Sequence, residues 1–557
     1  MNRCSGLRAL RKAITPLLSV LLAFSSCQCF KKSSPEAEQA QNVQPNTFAL
    51  FYMTSMRGWV EPCGCTSEPL GGIARLARVV LDSKNQYGLG VSLIDGGDVL
   101  FDSLKPTNPA DLCQENARID LLLSTLHDLS CIGTFPGQYD DVMGVDFRDE
   151  KLKNHKLTNL TESAKNGFIT GKDPAFRLGI LFLDEANASS IDAKATNLKN
   201  EGAKAVVVVT HQPRSFFFAK KAAMPDKAEM PHVDIVILGV EGEETPPVAQ
   251  KADSEGPVFV SAGKQGQYLG LVEFRFNKEG GWTLDDRQQK RQLRISLLTQ
   301  RITTFQAQMN DSSDPTLKEF LKTKISDARE ELDELAAQKD APVTDRNYLV
   351  ASTIALSRKI DPNPSFDAKL KAYESKIPEL VAQCESKIAC PEAVANEAHF
   401  VGAETCKSCH NAAYEFWKNA VYSVPATDEK GNSIERLSGH TKAYETLAEK
   451  HKTEDRSCVG CHTTGFMQPG GFCKVKEVGS FKGVQCESCH GAGSLHVATA
   501  DKRQIKRAVP EATCRGCHHV PHIPTTESFN YEQRLTKILG EGHGALLLSK
   551  IKHQAQN

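Results

Sequence analysis

Four short strings in the last third of this 557-residue sequence carry its clearest chemistry: Cys406-Lys407-Ser408-Cys409-His410, Cys458-Val459-Gly460-Cys461-His462, Cys486-Glu487-Ser488-Cys489-His490 and Cys514-Arg515-Gly516-Cys517-His518. Each sets two thiols three positions apart and an imidazole directly after the second. That spacing lets both thiols form thioethers to the two vinyl groups of a haem while the adjacent imidazole reaches the iron. Paired Cys-x-x-Cys units can also make a structural zinc site, but zinc has no use for a histidine after every second cysteine. The expected cofactors are therefore four covalently bound haem c groups, with thioethers at Cys406, Cys409, Cys458, Cys461, Cys486, Cys489, Cys514 and Cys517. His410, His462, His490 and His518 are the proximal iron ligands. A second histidine is the expected axial partner of a low-spin electron-transfer haem. Of the 16 histidines, twelve follow residue 398, and those outside the motifs are His399, His440, His451, His496, His519, His522, His543 and His553.

A second reactive pattern lies near the start, Glu61-Pro62-Cys63-Gly64-Cys65, followed by Gly71-Gly72-Ile73-Ala74-Arg75. Two thiols one residue apart can form a redox-active or strained pair, hold a soft metal ion, or do neither. Cys63 and Cys65 are therefore candidate catalytic residues as a redox pair. Cys384 and Cys390 bracket a five-residue gap, and in an oxidising compartment a local disulfide between them is expected.

Behind these residues stand three kinds of element. From Thr47 to about Asp285, short apolar runs such as Phe48–Thr54, Val91–Ile94, Gly179–Phe182, Ala205–Val209, Val233–Leu238, Val258–Val260 and Leu271–Phe276 alternate with amphipathic stretches. They read as buried strands of a layered α/β domain. At Leu293 the period changes to three- and four-residue steps, through Leu297, Leu298, Ile302 and Phe305 and then Leu317, Leu321, Ile325, Ala328, Leu332 and Leu335. Asn310–Asp314 makes a turn and Pro315 suits a helix start, so a helical hairpin is expected. A strand near Tyr348–Leu356 and a helix near Phe366–Gln383 follow, and after Ala398 the composition turns to Cys and His. The fold class is thus multidomain: an α/β layered domain at 47–285, a helical linker region at 286–397, and a mainly α or irregular tetrahaem domain at 398–557.

The first residues bear on compartment. Arg3, Arg8, Arg11 and Lys12 precede an apolar run from Ala13 to Phe24, shorter than the ~20 residues a spanning helix needs. Residues 1–26 read as an export signal and 27–46 as a flexible tether. Ser25-Ser26-Cys27 resembles a bacterial lipoprotein processing site, in which Cys27 is acylated and anchors the chain to a membrane; an ordinary cleaved signal is the other reading. The expected location is the periplasm, soluble or lipid-anchored. A formal net charge of −1 supplies no bulk field for nucleic acid, and none is expected as a partner.

Two resemblances extend this reading. Ser438-Gly439-His440-Thr441-Lys442-Ala443-Tyr444, Cys458–His462 with Thr463-Thr464-Gly465, and Gly483-Val484-Gln485-Cys486–His490 with Gly491-Ala492-Gly493-Ser494-Leu495-His496 resemble the tetrahaem cytochrome c-554 family over about residues 399–545. The resemblance implies His440, His496 and His543 as distal iron ligands. The fourth iron then takes one of His399, His451, His519 or His522, or stays five-coordinate as one haem does in that family. Leu93–Asp98, Val209-Thr210-His211 and Val258–Gly270 resemble the calcineurin-like metallophosphatase domain of 5′-nucleotidases and UDP-sugar hydrolases, the UshA-like proteins, over about residues 47–280.

In that second family's terms Asp98 and His211 match metal ligands. Ser55-Met56-Arg57, Gly137-Gln138-Tyr139-Asp140 and Gly239-Val240-Glu241-Gly242 stand where the other ligand boxes belong. A two-metal centre needs its full cage, so no dinuclear metal site is expected. Some UshA-like proteins carry the Glu-Pro-Cys-Gly-Cys signature, in some cases with selenocysteine, which implies redox use of Cys63 and Cys65. The resulting functional reading is an exported tetrahaem c-type cytochrome that carries electrons between redox donor and acceptor proteins. An oxidoreductase acting at an open haem iron or at Cys63/Cys65 is the alternative, and a phosphoesterase is a remote one.

Overall fold

A computed structural model describes residues 47–62, 69–87, 90–171, 176–217, 230–239, 247, 249–251, 256–278, 280–341, 343–427, 433–518, 530–540 and 543. The chain divides into two units, 1–44 and 45–557, and every described residue lies in the second. The expected export signal, the tether and Cys27 lie outside the described residues. Among those described, no helix is long and apolar enough to cross a membrane.

The first domain is two sheets face to face. One runs β10-β11-β9-β1-β2, from β1 (Thr47–Met53), β2 (Val91–Asp95), β9 (Tyr268–Arg275), β10 (Trp282–Leu284) and β11 (Asn347–Ala355). The other runs β3-β4-β5-β6-β8-β7, from β3 (Phe168–Thr170), β4 (Leu178–Leu183), β5 (Ala205–Thr210), β6 (Ile235–Leu238), β7 (Gln250–Lys251) and β8 (Val258–Val260). The inner strands β4, β5, β6 and β8 pair in parallel, and parallel strands covered on both faces read as unbroken apolar runs. Strand alternation then builds the layers. Phe48, Leu50 and Tyr52 of β1 meet Ile180, Phe182, Val207 and Val209 of the second sheet in one core. Ala49, Phe51 and Met53 point the other way, onto helices, and Val206 and Val208 pack against Ile191–Asn200. The order of layers is helix, sheet, sheet, helix.

Two helices on the outer face of β1 matter later: α1 (Ile73–Tyr87), whose Ile73, Leu76, Ala77 and Val80 are buried, and α2 (Leu112–Asp128), which buries Ile119, Leu122, Leu123 and Leu126. Both show helical spacing of the apolar face. The expected hairpin forms as α3 (Arg287–Asp311) and α4 (Pro315–Ala337). Asp314 caps α4 by accepting from Thr316 N at 2.8 Å, and Leu298, Ile302, Ile325 and Ala328 give the pair its own small core.

The region expected as a linker differs in two ways. Its strand β11 is an inner strand of the first sheet, paired in parallel with β10 and antiparallel with β9. Its helix α5 (Pro364–Glu385) lays Phe366, Leu370, Tyr373, Ile377, Val381 and Cys384 onto α1 and α2. β11 and α5 therefore join the α/β domain's sheet and helical layer, β11 covering an edge that β9 would otherwise leave unpaired, while α3 and α4 keep the small core of their own.

The expected Cys384–Cys390 disulfide is not formed. Cys384 bonds Cys113 of α2, with Cα atoms 5.8 Å apart, and Cys390 bonds Cys473, at 5.5 Å. Cys384 faces inward on α5, toward α2, whereas the chain leaves that helix at Ser386 and carries Cys390 to the Cys/His-rich segment.

Candidate functional site

The four motifs sit on short helices: Ala403–Lys407, α6 (Arg456–His462), Cys486–His490 and Glu511–Arg515 carry their first cysteines. A helical turn sets residues three apart on one face, which is what bidentate attachment of one porphyrin requires. The motifs are neighbours in space. The Cys406 and Cys486 thiols lie close enough to act on each other electrostatically, as do Cys461 and Cys517, and Cys489 lies within electrostatic reach of Cys514. The first motif thus adjoins the third, the third the fourth, and the fourth the second.

Histidine rings pair across two of these positions. His410 and His496 lie with ring centroids 6.1 Å apart and planes 29° from parallel. His440 and His518 lie at 6.2 Å and 38°. Two imidazoles bound to opposite sides of one metal at ~2.0–2.1 Å would have centroids about 6 Å apart. Both separations therefore fit an iron between the rings.

Carbonyl contacts fix the tautomer of three of these rings. Nδ1 of His462 meets the carbonyl of Ala443 at 2.6 Å, that of His490 the carbonyl of Lys506 at 2.7 Å, and that of His496 the carbonyl of Asp501 at 3.0 Å. A carbonyl can only accept, so each Nδ1 carries the proton and each Nε2 keeps its lone pair for a metal. Burial, helped by the nearby His518, pushes His440 down to about 4, which leaves its imidazole neutral at pH 7. Burial also lowers His462.

Other expected ligands are placed differently. His543 stands edge-on to Phe416, 6.3 Å between centroids, after Gly540; a side chain on Gly540 would collide with the Phe416 ring. His399 turns Nδ1 to the carbonyl of Glu397 at 3.0 Å. His519, His522 and His553 lie outside the described residues.

Three residues hold this segment together that motif reading passes over. Glu487, inside the third motif and 2 % exposed, accepts from the backbone N of Val401, Gly402 and Gly493 at 3.0, 2.7 and 2.7 Å. It ties the start of the segment to its centre. Arg456 pairs with Asp111 at 2.5 Å and with Glu385, both in the α/β domain. Lys452 reaches both oxygens of Glu61 at 2.6 and 2.7 Å.

Asp98 and His211, which the sequence matched to metal ligands, are both engaged in protein hydrogen bonds. Nε2 of His211 meets the Gly96 carbonyl at 2.9 Å, and Oδ1 of Asp98 accepts from Tyr139 N at 3.0 Å. Asp140, in the second ligand box, accepts from the backbone N of Asp98, Val99, Leu100 and Gly137 at 2.7–2.9 Å. The Arg57 guanidinium lies 4.0 Å over the Tyr139 ring. Among the described residues no three His, Cys, Asp or Glu side chains gather as a metal cluster. Ser55, Arg57, Asp98 and Gln265 all have φ between 47° and 58°, left-handed backbone that non-glycine residues adopt at a cost. Cys63 and Cys65 lie outside the described residues; Pro62 beside them forms a bridge with Gly71.

Comparison with known proteins separates the two parts. Residues 405–491 match the family "Cytochrome c554 and c-prime". Cytochrome c-554 of Nitrosomonas europaea is 34% identical over 114 residues, which are 20% of this chain and 47% of that protein. The chain therefore spans about half the length of the curated relative it matches. Among solved structures, a calcineurin-like phosphoesterase, YfkN, from Bacillus subtilis aligns at TM-score 0.35 and 13% identity, over 61% of this chain and 99% of that one. A putative 5′-nucleotidase from Staphylococcus aureus in complex with alpha-ketoglutarate aligns at 0.31 and 15%, over 41% and 51%. The layered architecture of the first domain stands on its strand order and burial. The match to the cytochrome c554 and c-prime family thus covers residues 405–491, in one chain with a two-sheet α/β domain.

Proposed function

We propose that this protein is an exported tetrahaem c-type cytochrome that carries electrons between redox partner proteins. The observation that carries the reading is the two facing histidine pairs, His410 with His496 and His440 with His518, with ring centroids 6.1 and 6.2 Å apart. Haem supplies one-electron chemistry with little rearrangement when both axial positions are imidazole. The chain's own residues attach it through eight cysteines, hold the rings by carbonyl contacts at Nδ1, and bring the four motifs into contact.

Export follows from the same chemistry, since haem c is attached outside the cytoplasm. The periplasm is the proposed location, with acylated Cys27 as an optional anchor. The test is the mass of the mature protein: four haem additions are expected, and each Cys→Ser pair within a motif should remove one. A mass showing fewer than four haems in the unaltered protein would sink the tetrahaem reading.

A second reading has an observation of its own. Glu61 opens the Glu-Pro-Cys-Gly-Cys string and is ion-paired with Lys452, six residues before the haem-attaching Cys458. In this reading Cys63 and Cys65 cycle between dithiol and disulfide, releasing two electrons and two protons per oxidation, the electrons passing singly to two haems. Replacing both by Ser should then abolish thiol-linked haem reduction and leave haem reduction by dithionite intact.

A further inference from the structure

Among the described residues, the cytochrome segment meets the α/β domain along a seam that runs past the second motif. Helix α6, which carries Cys458 and Cys461, begins at Arg456 after the capping Asp455, whose carboxylate accepts from Ser457 N at 3.1 Å. Gln114 of α2 donates to that same carboxylate at 2.6 Å. Lys452 lies within ion-pair distance of Glu61 at 2.6 Å, Glu374 of α5 at 3.6 Å and Asp455 at 3.7 Å. Val459, Phe472, Val475 and Val478 complete the join, in one core with Phe366, Tyr373 and Val381 of α5.

The charges of this seam act on the second motif. The Cys458 sulfur is within electrostatic reach of Asp455, Lys452 and Glu61. The charged groups acting on Cys406, Cys486 and Cys514 are Glu487 and Glu511, from the cytochrome segment itself. Around Lys452 the balance is three carboxylates to one ammonium, and Arg456 adds one cation between two further carboxylates, Asp111 and Glu385. These groups are partly or wholly shielded from solvent, where salt screens them poorly.

Reduction adds one electron to a haem, so an excess of nearby carboxylates opposes it and an ammonium favours it. We infer that the haem attached at Cys458 and Cys461 is the one that faces the α/β domain, and that Lys452, Glu61, Glu374 and Asp455 set its reduction potential apart from the others. This deepens the electron-carrier reading above and rests on it. It makes this haem the point of electron exchange with any redox group at the Glu61 edge. Lys452 and Glu61 are positioning residues, acting through charge and without touching a reacting atom.

The experiment is a potentiometric titration of the full-length, haem-loaded protein, followed by absorbance and by electron paramagnetic resonance. Lys452→Gln is expected to lower the potential of one haem, changing its reduction equilibrium about tenfold, ~59 mV for a one-electron couple. Glu61→Gln is expected to raise the potential of that same haem, and Lys452→Arg to restore the unaltered value. Loosening of the seam would move the two variants the same way, so shifts of equal sign, shifts shared by every haem, or no shift overturn the inference. Should Lys452→Gln fail to accumulate, Glu61→Gln and Glu374→Gln decide by the same rule, both upward. Haem content by mass is read in parallel, so that loss of the tetrahaem reading is distinguished from loss of this one.

Discussion

The guanidinium of Arg456 is paired with the carboxylate of Glu385 where both side chains are shielded, 1 % and 7 % exposed. The same guanidinium donates to the Cys473 carbonyl at 2.7 Å, and Glu385 also accepts from Val475 N at 3.0 Å. A buried pair of this kind adds little over an apolar replacement of both partners, but losing one partner strands the other charge. Arg456→Met should therefore cost about 3–5 kcal/mol, read as a lower denaturation midpoint of the haem-loaded protein. Arg456→Met with Glu385→Leu should recover much of that loss; a double variant no better than the single one would show that the pair does not act as a unit.

The Cys390–Cys473 bond closes a loop of sequence separation 83 between the end of the α5 region and the cytochrome segment. By loop-closure entropy a loop of that size is worth about 4–5 kcal/mol. Replacing both cysteines by Ser should lower the stability of the join by an amount of that order, seen as earlier cleavage between α5 and Ala403 in limited proteolysis. Equal cleavage rates for the unaltered and the doubly substituted protein would count against a restraining role.

Much of this was legible in the sequence, and the reason is locality. Val258–Val260 is a strand with the bounds its apolar run predicts, and α4 begins at Pro315 behind its Asp314 cap. The haem motifs are local as well, since chemistry dictates their spacing. What stayed hidden is non-local. β11 reads as an isolated strand after a helical hairpin, and nothing in its residues says that it lies beside β9. Cys384 has a cysteine six residues away and bonds another at a sequence separation of 271. Lys452, Arg456 and Glu487 look like solvated charges because their partners are remote, Glu61 being 391 residues from Lys452.

Among the described residues, the rings of His496 and His440 each lie about one metal-bridging distance from a motif histidine, at 6.1 and 6.2 Å. If each holds the iron bound at its motif partner, removing it would leave that iron with one protein imidazole. His496→Ala and His440→Ala should each convert one haem from low to high spin, measured by electron paramagnetic resonance at unchanged haem mass. His399→Ala, with Nδ1 turned to its own segment's carbonyl, should leave the spectrum unaltered. A spectrum unchanged by His496→Ala would remove that residue from the ligand set.

Asp95, at the end of β2, is wholly buried beside Thr134, whose hydroxyl donates to it. Burial pushes its carboxyl up from 3.8 to about 7, against the lowering effect of that hydrogen bond and with Asp140 and Asp98 adding repulsion. The folded protein thus holds this proton more tightly than the unfolded chain, whose carboxyl titrates near 3.9. The stabilisation it brings is fully present below about pH 4 and is lost as pH rises toward 7, because the folded state binds the extra proton in that window. Asp140, also raised to about 7 by burial, acts in the same direction. Asp95→Asn removes one of the two titrating groups. Unfolding free energy measured from pH 4 to pH 7 should fall less steeply in Asp95→Asn than in the unaltered protein, by an amount on the order of a few kcal/mol across the window. Parallel pH profiles would show that Asp95 is charged in the fold throughout, and that its partners compensate for its burial.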